Sequence, residues 1–286
     1  MLPFRKIIFA ADLSEPCQAA APYVREMTER GGAELVILHA TEIAAVPPDP
    51  LRPFLAESLP LYAAIRKEQR ERMEAFIGEH FAGLHPELLL VDGDAGPAIE
   101  ETVRRKAADL VMMSTHGRGT LRRFLLGSVT AKMLHDLSCA VWTGVHWKDG
   151  IHQPRVPYRS IVCAVDFHEE DAGVIRTASE LAKAYGASLS VTHAVDWPES
   201  SVLTGSPVYA REVVITALTR MVHEAGLEAA VNVVDGNPAE GVRRAVIECE
   251  GDLLVVGRGT SQKTVGRFWS NLYAIIRESP CPVLSV

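Results

Sequence analysis

The segment KIIFAADLS, Lys6 to Ser14, returns in altered form as SIVCAVDFH at Ser160 to His168. Each is a continuous apolar run that ends in an aspartate, Asp12 or Asp166. Reading outward, ELVILHA (Glu34 to Ala40) matches SLSVTHA (Ser188 to Ala194), and VDGDAGPAIEETVRR (Val91 to Arg105) matches VDGNPAEGVRR (Val234 to Arg244). ADLVMMSTHGRGT (Ala108 to Thr120) matches GDLLVVGRGT (Gly251 to Thr260), and SCAVWTGV (Ser138 to Val145) matches PCPVLSV (Pro280 to Val286). Five matches in one order mean two copies of one unit. A chain of 286 residues has room for about two domains.

The copies differ in length. Asp12 and Asp166 are 154 positions apart, as are His39 and His193, but Asp92 and Asp235 are only 143 apart. The first copy therefore carries roughly eleven more residues between its second and third matched segments. Pro47, Pro48, Pro50, Pro53 and Pro60 crowd that region, and proline's missing N–H predicts loop there. Tyr62 to Ile77 reads as helix, with Met73, Phe76 and Ile77 on one side. Gly150, Pro154 and Pro157 mark a linker at about residues 148–157, between a first domain at 1–147 and a second at 158–286.

Five strands are expected in the first copy: Ile7–Ala11, Leu35–His39, Leu88–Val91, Leu110–Met113 and Val141–Val145. They are unbroken apolar runs, the pattern of strands buried on both faces, which points to a parallel sheet covered by helices. Between them, Pro97–Ala108 reads as helix with Ile99, Val103 and Ala107 inward, and its counterpart from Pro238 turns Val242, Val246 and Cys249 inward. A helix at about Pro16–Arg30 contains Pro22, which predicts a kink or a late start.

Composition narrows the classes. Hydrophobic residues make up 48% and charged residues 23%, which is ordinary globular composition. A net charge of −7 argues against a nucleic-acid partner. No apolar run approaches the ~18 residues of a membrane span, and the opening segment lacks a leader's cleavage signature. Cys17, Cys139, Cys163, Cys249 and Cys281 form no C-x-x-C pair and read as free buried thiols in a reducing cytoplasm.

Ligands of an open parallel sheet bind at the carboxyl ends of its strands. There lie Asp12, His39-Ala40, and the stretch Met113-Ser114-Thr115-His116-Gly117-Arg118-Gly119. Arg122 and Arg123 follow, then Gly127-Ser128-Val129-Thr130 opens a helix with Val129, Met133, Leu134 and Leu137 inward. Glycine lets a backbone approach an anion, and a helix N-terminus offers unpaired N–H groups and a positive dipole end. On residue type alone Ser128 is equally an N-cap, Asp12 a solvated strand-end carboxylate, and the arginines a solvated loop face.

The run STHGRGTLRRFLLGSVTAKML resembles the signature of the universal stress protein family, G-x2-G-x9-G-[S/T], which reads here as Ser114-x2-Gly117-x9-Gly127-Ser128. Ser114 replaces the first glycine. The resemblance spans both copies. It implies two Rossmann-like α/β domains, each an open five-stranded parallel sheet of order 3-2-1-4-5 flanked by helices, and ATP, with Mg2+ carried in, as ligand. It places Ala10, Asp12, Ala40 and Met113 against the adenosine, and Gly117, Gly127, Ser128, Val129 and Thr130 against the phosphates.

In the second copy the same resemblance retains Asp166, Ala194, Gly259 and Ser270. Counting back from Cys281, however, puts Trp269 where Gly127 stands and Val256 where Ser114 stands, with Gly257 out of place. The first copy is therefore expected to bind nucleotide, and the second weakly, differently or not at all. Family members pair through their last strands, which implies an intramolecular pseudo-dimer with Val141–Val145 beside Pro282–Val286, and leaves room for a homodimer.

His39 and His193 recur at one strand position and read as structural contacts. His80, His85, His116, His135, His146 and His152 show no metal-ligand spacing, and Trp142, Trp147 and Trp197 read as packing residues at domain or subunit contacts. No G-x-S-x-G, G-x4-G-K-[ST] or H-I-G-H element occurs, so dedicated catalysis is not expected. A cytoplasmic, nucleotide-dependent stress-response module is the leading function. A non-binding, chaperone-like interaction protein and a slow ATPase are the alternatives.

Overall fold

Ile7 and Phe9 point to one side of their strand and Ile8 to the other, and all three have no exposed surface. An apolar run without alternation is thus accounted for by burial on both faces. The computed structural model describes residues 2–41, 60–115, 126–144, 155–168, 171–196, 207–258 and 265–286. The first unit holds β1 (Lys6–Ala10), α1 (Glu15–Gly31), β2 (Glu34–Thr41), α2 (Pro60–His80), β3 (Glu87–Asp92), α3 (Ala95–Lys106), β4 (Leu110–Met113), α4 (Ser128–Asp136) and β5 (Ala140–Thr143). The second holds β6 (Ser160–Ala164), α5 (Asp171–Tyr185), β7 (Ser188–Val195), α6 (Pro207–Glu224), β8 (Ala230–Asp235), α7 (Pro238–Glu248), β9 (Leu253–Val256), α8 (Val265–Glu278) and β10 (Val283–Ser285).

The strands form one ten-stranded sheet in the order β3-β2-β1-β4-β5-β10-β9-β6-β7-β8. Each half is parallel and runs 3-2-1-4-5, as the resemblance implies. The halves meet antiparallel at β5 and β10, where Val283 faces Thr143, Leu284 faces Trp142 and Ser285 faces Val141. The expected pairing of last strands is therefore made within the chain, and it covers two edges that would otherwise be open. Helices α1, α2, α5 and α6 cover one face of the sheet, through residues such as Val24, Met73, Ile175 and Leu218. Helices α3, α4, α7 and α8 cover the other, through Ile99, Leu134, Val246 and Ile276.

An aromatic chain ties the units on the first face. The fully buried Trp142 of β5 lies 5.3 Å from the Tyr23 ring of α1 and donates its indole N–H to the Tyr158 hydroxyl at 3.0 Å. Tyr158 packs on Tyr185 of α5 at 5.1 Å, and the Arg30 guanidinium of α1 sits 4.6 Å above the Tyr185 ring. Trp142 is thus the domain-contact residue expected of it. Trp147 and Trp197 lie outside the described residues, as does most of the expected linker at 148–157.

Several local expectations are corrected. Helix α1 does not start late: it runs from Glu15 through Pro22, capped by the Ser14 hydroxyl, which accepts from Cys17 N–H. Pro22 forfeits one helical bond and costs about 3 kcal/mol, but Cys17, Ala20, Ala21, Val24 and Met27 are buried along the same helix and outweigh it. Pro60 opens α2 rather than ending a loop, since the first helical position needs no N–H. Ala107 is exposed and caps α3 with φ 51°, so Ala108 takes its place in the core. Cys249, by contrast, packs half-buried against the core as expected, from the C-cap position of α7. The thiols are all free; Cys17, Cys163 and Cys281 are buried, while Cys139 and Cys249 are half-buried.

Candidate functional site

The turn after the first strand is built alike in both units. Leu13 and Phe167, each directly after the aspartate, have φ of 60° and 65°. A left-handed non-glycine residue costs on the order of 1 kcal/mol, and its occurrence at the same place in both copies marks a conformation held by its surroundings. The histidines provide that hold. Nδ1 of His39 lies 2.6 Å from the Ala11 carbonyl, and Nδ1 of His193 lies 2.8 Å from the Val165 carbonyl. A carbonyl only accepts, so Nδ1 carries the proton in each. The recurring histidines are the structural contacts expected.

Asp12 is not a plainly solvated carboxylate. Its Oδ1 accepts from Ser14 N–H at 3.0 Å and from the Ser14 hydroxyl at 2.6 Å. The VDG motif makes the next turn. Gly93, at φ 122°, donates its N–H to the Thr41 carbonyl at 2.9 Å, and Asp94 caps α3 by accepting from Gly96 N–H. Gly236 and Asn237 repeat this before α7, with φ 112° at a position that favours glycine.

These turns border a cleft of about 480 Å3 in the first unit, lined by Asp12, His39, Ala40, Gln69, Arg72 and Val129 among others. Ala10 and Met113 stand side by side at the ends of β1 and β4, with Met113 buried in the core. Gly127 is the N-cap of α4 and makes no side-chain cap, so Ser128 is the first helical residue and not the cap. The Gly127 N–H donates to the Thr115 carbonyl at 2.8 Å, which draws the helix start onto the end of strand four. Thr130 is buried and its hydroxyl donates to the Ser114 carbonyl at 3.1 Å, so it can offer a phosphate only its backbone N–H. Gly117 and the arginines Arg118, Arg122 and Arg123 lie outside the described residues.

Gln69 and Arg72, on the wall formed by α2, were not expected. Thr41 donates its hydroxyl to Gln69 Oε1 at 2.8 Å, and Arg72 brings a guanidinium to the cleft. The charged side of α2 reads in sequence as a solvent face, and it is one: Arg72 stays exposed while it lines the rim of the cleft beside the half-buried Gln69.

The second unit differs. Its cavity, of about 100 Å3, is lined by Asp166, His168, Asp171, Ala194, Gly257 and Leu272 among others. Pairing of Ala164 with Val256 mirrors pairing of Ala10 with Met113, so Gly257, not Val256, occupies the position of Ser114. A count back from Cys281 misses this by one because the connection from β9 to β10 is one residue shorter than that from β4 to β5. Ser270 lies within α8, which begins at Val265 and so runs through the position where α4 begins. The N–H groups there are spent on helical bonds. Gly259 lies outside the described residues.

Asp171 stands where the first unit has Cys17. Its Oδ2 accepts from Asp166 N–H at 3.2 Å and His168 N–H at 2.9 Å. Burial first, and the neighbouring Asp166 charge second, push its pKa up to about 6. The folded state then holds this proton more tightly than the unfolded chain, for which about 3.8 is the ordinary value. Its contribution is therefore present below that value and lost as pH rises through about 6. Asp171→Asn is expected to flatten the fall in stability between about pH 4 and 6, by no more than about 3 kcal/mol in total, in urea melts taken across that range. An unchanged slope would contradict the burial argument.

The fold and site define a tandem pair of Rossmann-like units with an open cleft at the strand ends of the first. The chain belongs to the universal stress protein family, whose model matches residues 3–143 and again residues 157–286. A universal stress protein of Thermus aquaticus is 30% identical over 141 residues, covering 48% of this chain and 96% of the relative. One of Methanocaldococcus jannaschii is 27% identical over 143 residues, covering 48% and 80%. The crystal structure of a universal stress protein from Archaeoglobus fulgidus superposes with a TM-score of 0.70 at 16% identity, covering 98% of this chain and 95% of that one, and supports the doubled fold. No helix among the described residues is long and apolar enough to cross a membrane.

Proposed function

We propose that the first unit binds ATP and that the protein acts as a nucleotide-dependent regulatory or protective module, with the second unit as its non-binding partner. One observation carries this reading: the first turn of α4, led by a glycine that supplies no side-chain cap, opens through Val129 onto a cleft that also presents Asp12 and Ala40. A volume of about 480 Å3 falls in the roughly 300–1,000 Å3 range of ligand pockets, and about 100 Å3 falls below it. Ala10, Asp12, Ala40 and Met113 would border the adenosine, Gly127 would let the chain approach the phosphates closely, and the N–H groups of Ser128, Val129 and Thr130 would face them. Mg2+ would come with the phosphates, because no three of His, Cys, Asp and Glu gather into a metal-holding group among the described residues.

Five free thiols support a reducing compartment, and we take the cytoplasm as that compartment. A chaperone-like role without nucleotide is favoured only for the second unit, by the helix running through its anion position. Calorimetric titration of the full chain with Mg–ATP is expected to give one site per chain. Two sites would overturn the assignment of the second unit, and no heat with no rise in melting temperature would overturn the nucleotide reading itself.

A further inference from the structure

The second unit holds the helix on which the proposed phosphate site of the first depends. Arg258, half-buried just after β9, crosses the seam and donates Nη1 to the Leu137 carbonyl at 2.6 Å and Nη2 to the Cys139 carbonyl at 2.7 Å. Leu137 caps the C-terminus of α4, so a guanidinium closes the end where helical carbonyls lack partners and where the dipole favours a cation. One turn and a half nearer the N-terminus, the Tyr273 hydroxyl of α8 donates to the Ala131 carbonyl at 3.1 Å. Ala131 is itself the residue whose N–H closes the first helical bond, to the Gly127 carbonyl at 2.9 Å.

These contacts run one way. By strand register the counterpart of Arg258 in the first unit is Thr115, and the counterpart of Tyr273, each eight residues before its cysteine, is Ala131. Neither can return the contact: threonine is too short and alanine has no donor. The doubled sheet looks symmetric, yet among the described residues these side-chain contacts are made on α4 and are not returned to α8.

We infer that Arg258 and Tyr273 are positioning residues for nucleotide binding in the first unit, setting the place of the α4 N-terminus without touching the ligand. Arg258 acts from the far end of a nine-residue helix, about 14 Å away at 1.5 Å per residue. A helix moves as a rigid rod, so loss of both holds displaces the N–H groups that would face the phosphates. The inference rests on the proposed ATP site, and it separates the second unit's purpose from ligand binding of its own.

The test uses the full chain with Arg258→Met, Tyr273→Phe and the double variant. Mg–ATP and adenosine are titrated in parallel, and amide hydrogen exchange is followed across residues 128–137. ATP affinity of the double variant is expected to fall about tenfold, while adenosine, which brings no phosphate to the N–H groups of α4, binds within twofold of the wild type. Exchange should rise in α4 alone. A general loosening would instead weaken both ligands by one factor, and that result, or unchanged ATP affinity, overturns the inference. Tyr273→Phe removes a single hydroxyl and reads the same ratio should Arg258→Met fail to fold. A wild-type chain that binds no ATP overturns the nucleotide reading; exchange then decides the clamp alone, unchanged protection overturning it and loss confined to α4 supporting it.

Discussion

Gly127→Asp is expected to remove ATP binding while leaving the fold as stable as before or slightly more so. Gly127 has φ −59° and ψ 143°, a conformation open to any residue, and it stands at the N-cap of a helix that has no side-chain cap. Aspartate is among the preferred N-caps and faces the positive end of the helix dipole, so the substitution should add a few tenths to about 1 kcal/mol of stability. The same carboxylate would sit where the phosphates are proposed to lie. Two like charges about 4 Å apart at an effective dielectric constant near 20 repel by about 4 kcal/mol, enough for a hundredfold loss of affinity or more. Gly127→Ser, a neutral cap, should lose far less. Calorimetry with Mg–ATP beside a thermal melt reads both effects, and their opposite signs exclude a folding artefact. Affinity for ATP within threefold of the wild type in Gly127→Asp would mean that the phosphates do not meet α4.

Trp142→Ala is expected to cost about 3–5 kcal/mol of unfolding free energy, the range for emptying a large aromatic site in a core. Trp142 has no exposed surface, lies in the strand that joins the two units, and faces Leu284 across the antiparallel seam. Truncation leaves a cavity beside Tyr23 and removes the donor to the Tyr158 hydroxyl. The junction has little room to close that cavity, because Tyr23, Tyr158 and Tyr185 are already packed against one another. Trp142→Phe keeps most of the apolar volume and should cost less than half as much. Equilibrium urea unfolding measures the difference; a loss under about 1 kcal/mol would show that the seam is held elsewhere.

Much of the fold was legible. The strands at Lys6–Ala10 and Leu110–Met113 lie within one residue of their apolar runs, because a strand buried on both faces leaves an unbroken signature. Helix α1 was legible in place but not in continuity, since the cost at Pro22 is local whereas the burial that offsets it comes from the sheet below. At the candidate site, Asp12, Ala40 and Val129 were found because they follow strands or open a helix, and the cleft does bring them together. Thr130 is placed against the phosphates by resemblance, but its hydroxyl is turned to the Ser114 carbonyl, a contact that no local pattern records. Arg72 was missed because its place depends on how α2 crosses the sheet.

The sequence alone determined that this is one unit used twice, with parallel sheets, short strands and turns at the aspartates. Those features follow from local chemistry and from repetition, which need no knowledge of what lies across the molecule. It also made the two copies unequal at the start of their last helix, with a tryptophan at the place of a glycine in the count. Tertiary structure alone decided the rest. It ran α8 through the stretch that matches the start of α4, and brought Arg258 to carbonyls more than a hundred residues away in the chain. Contacts of that kind are set by how two finished units dock, and no periodicity within either unit records them.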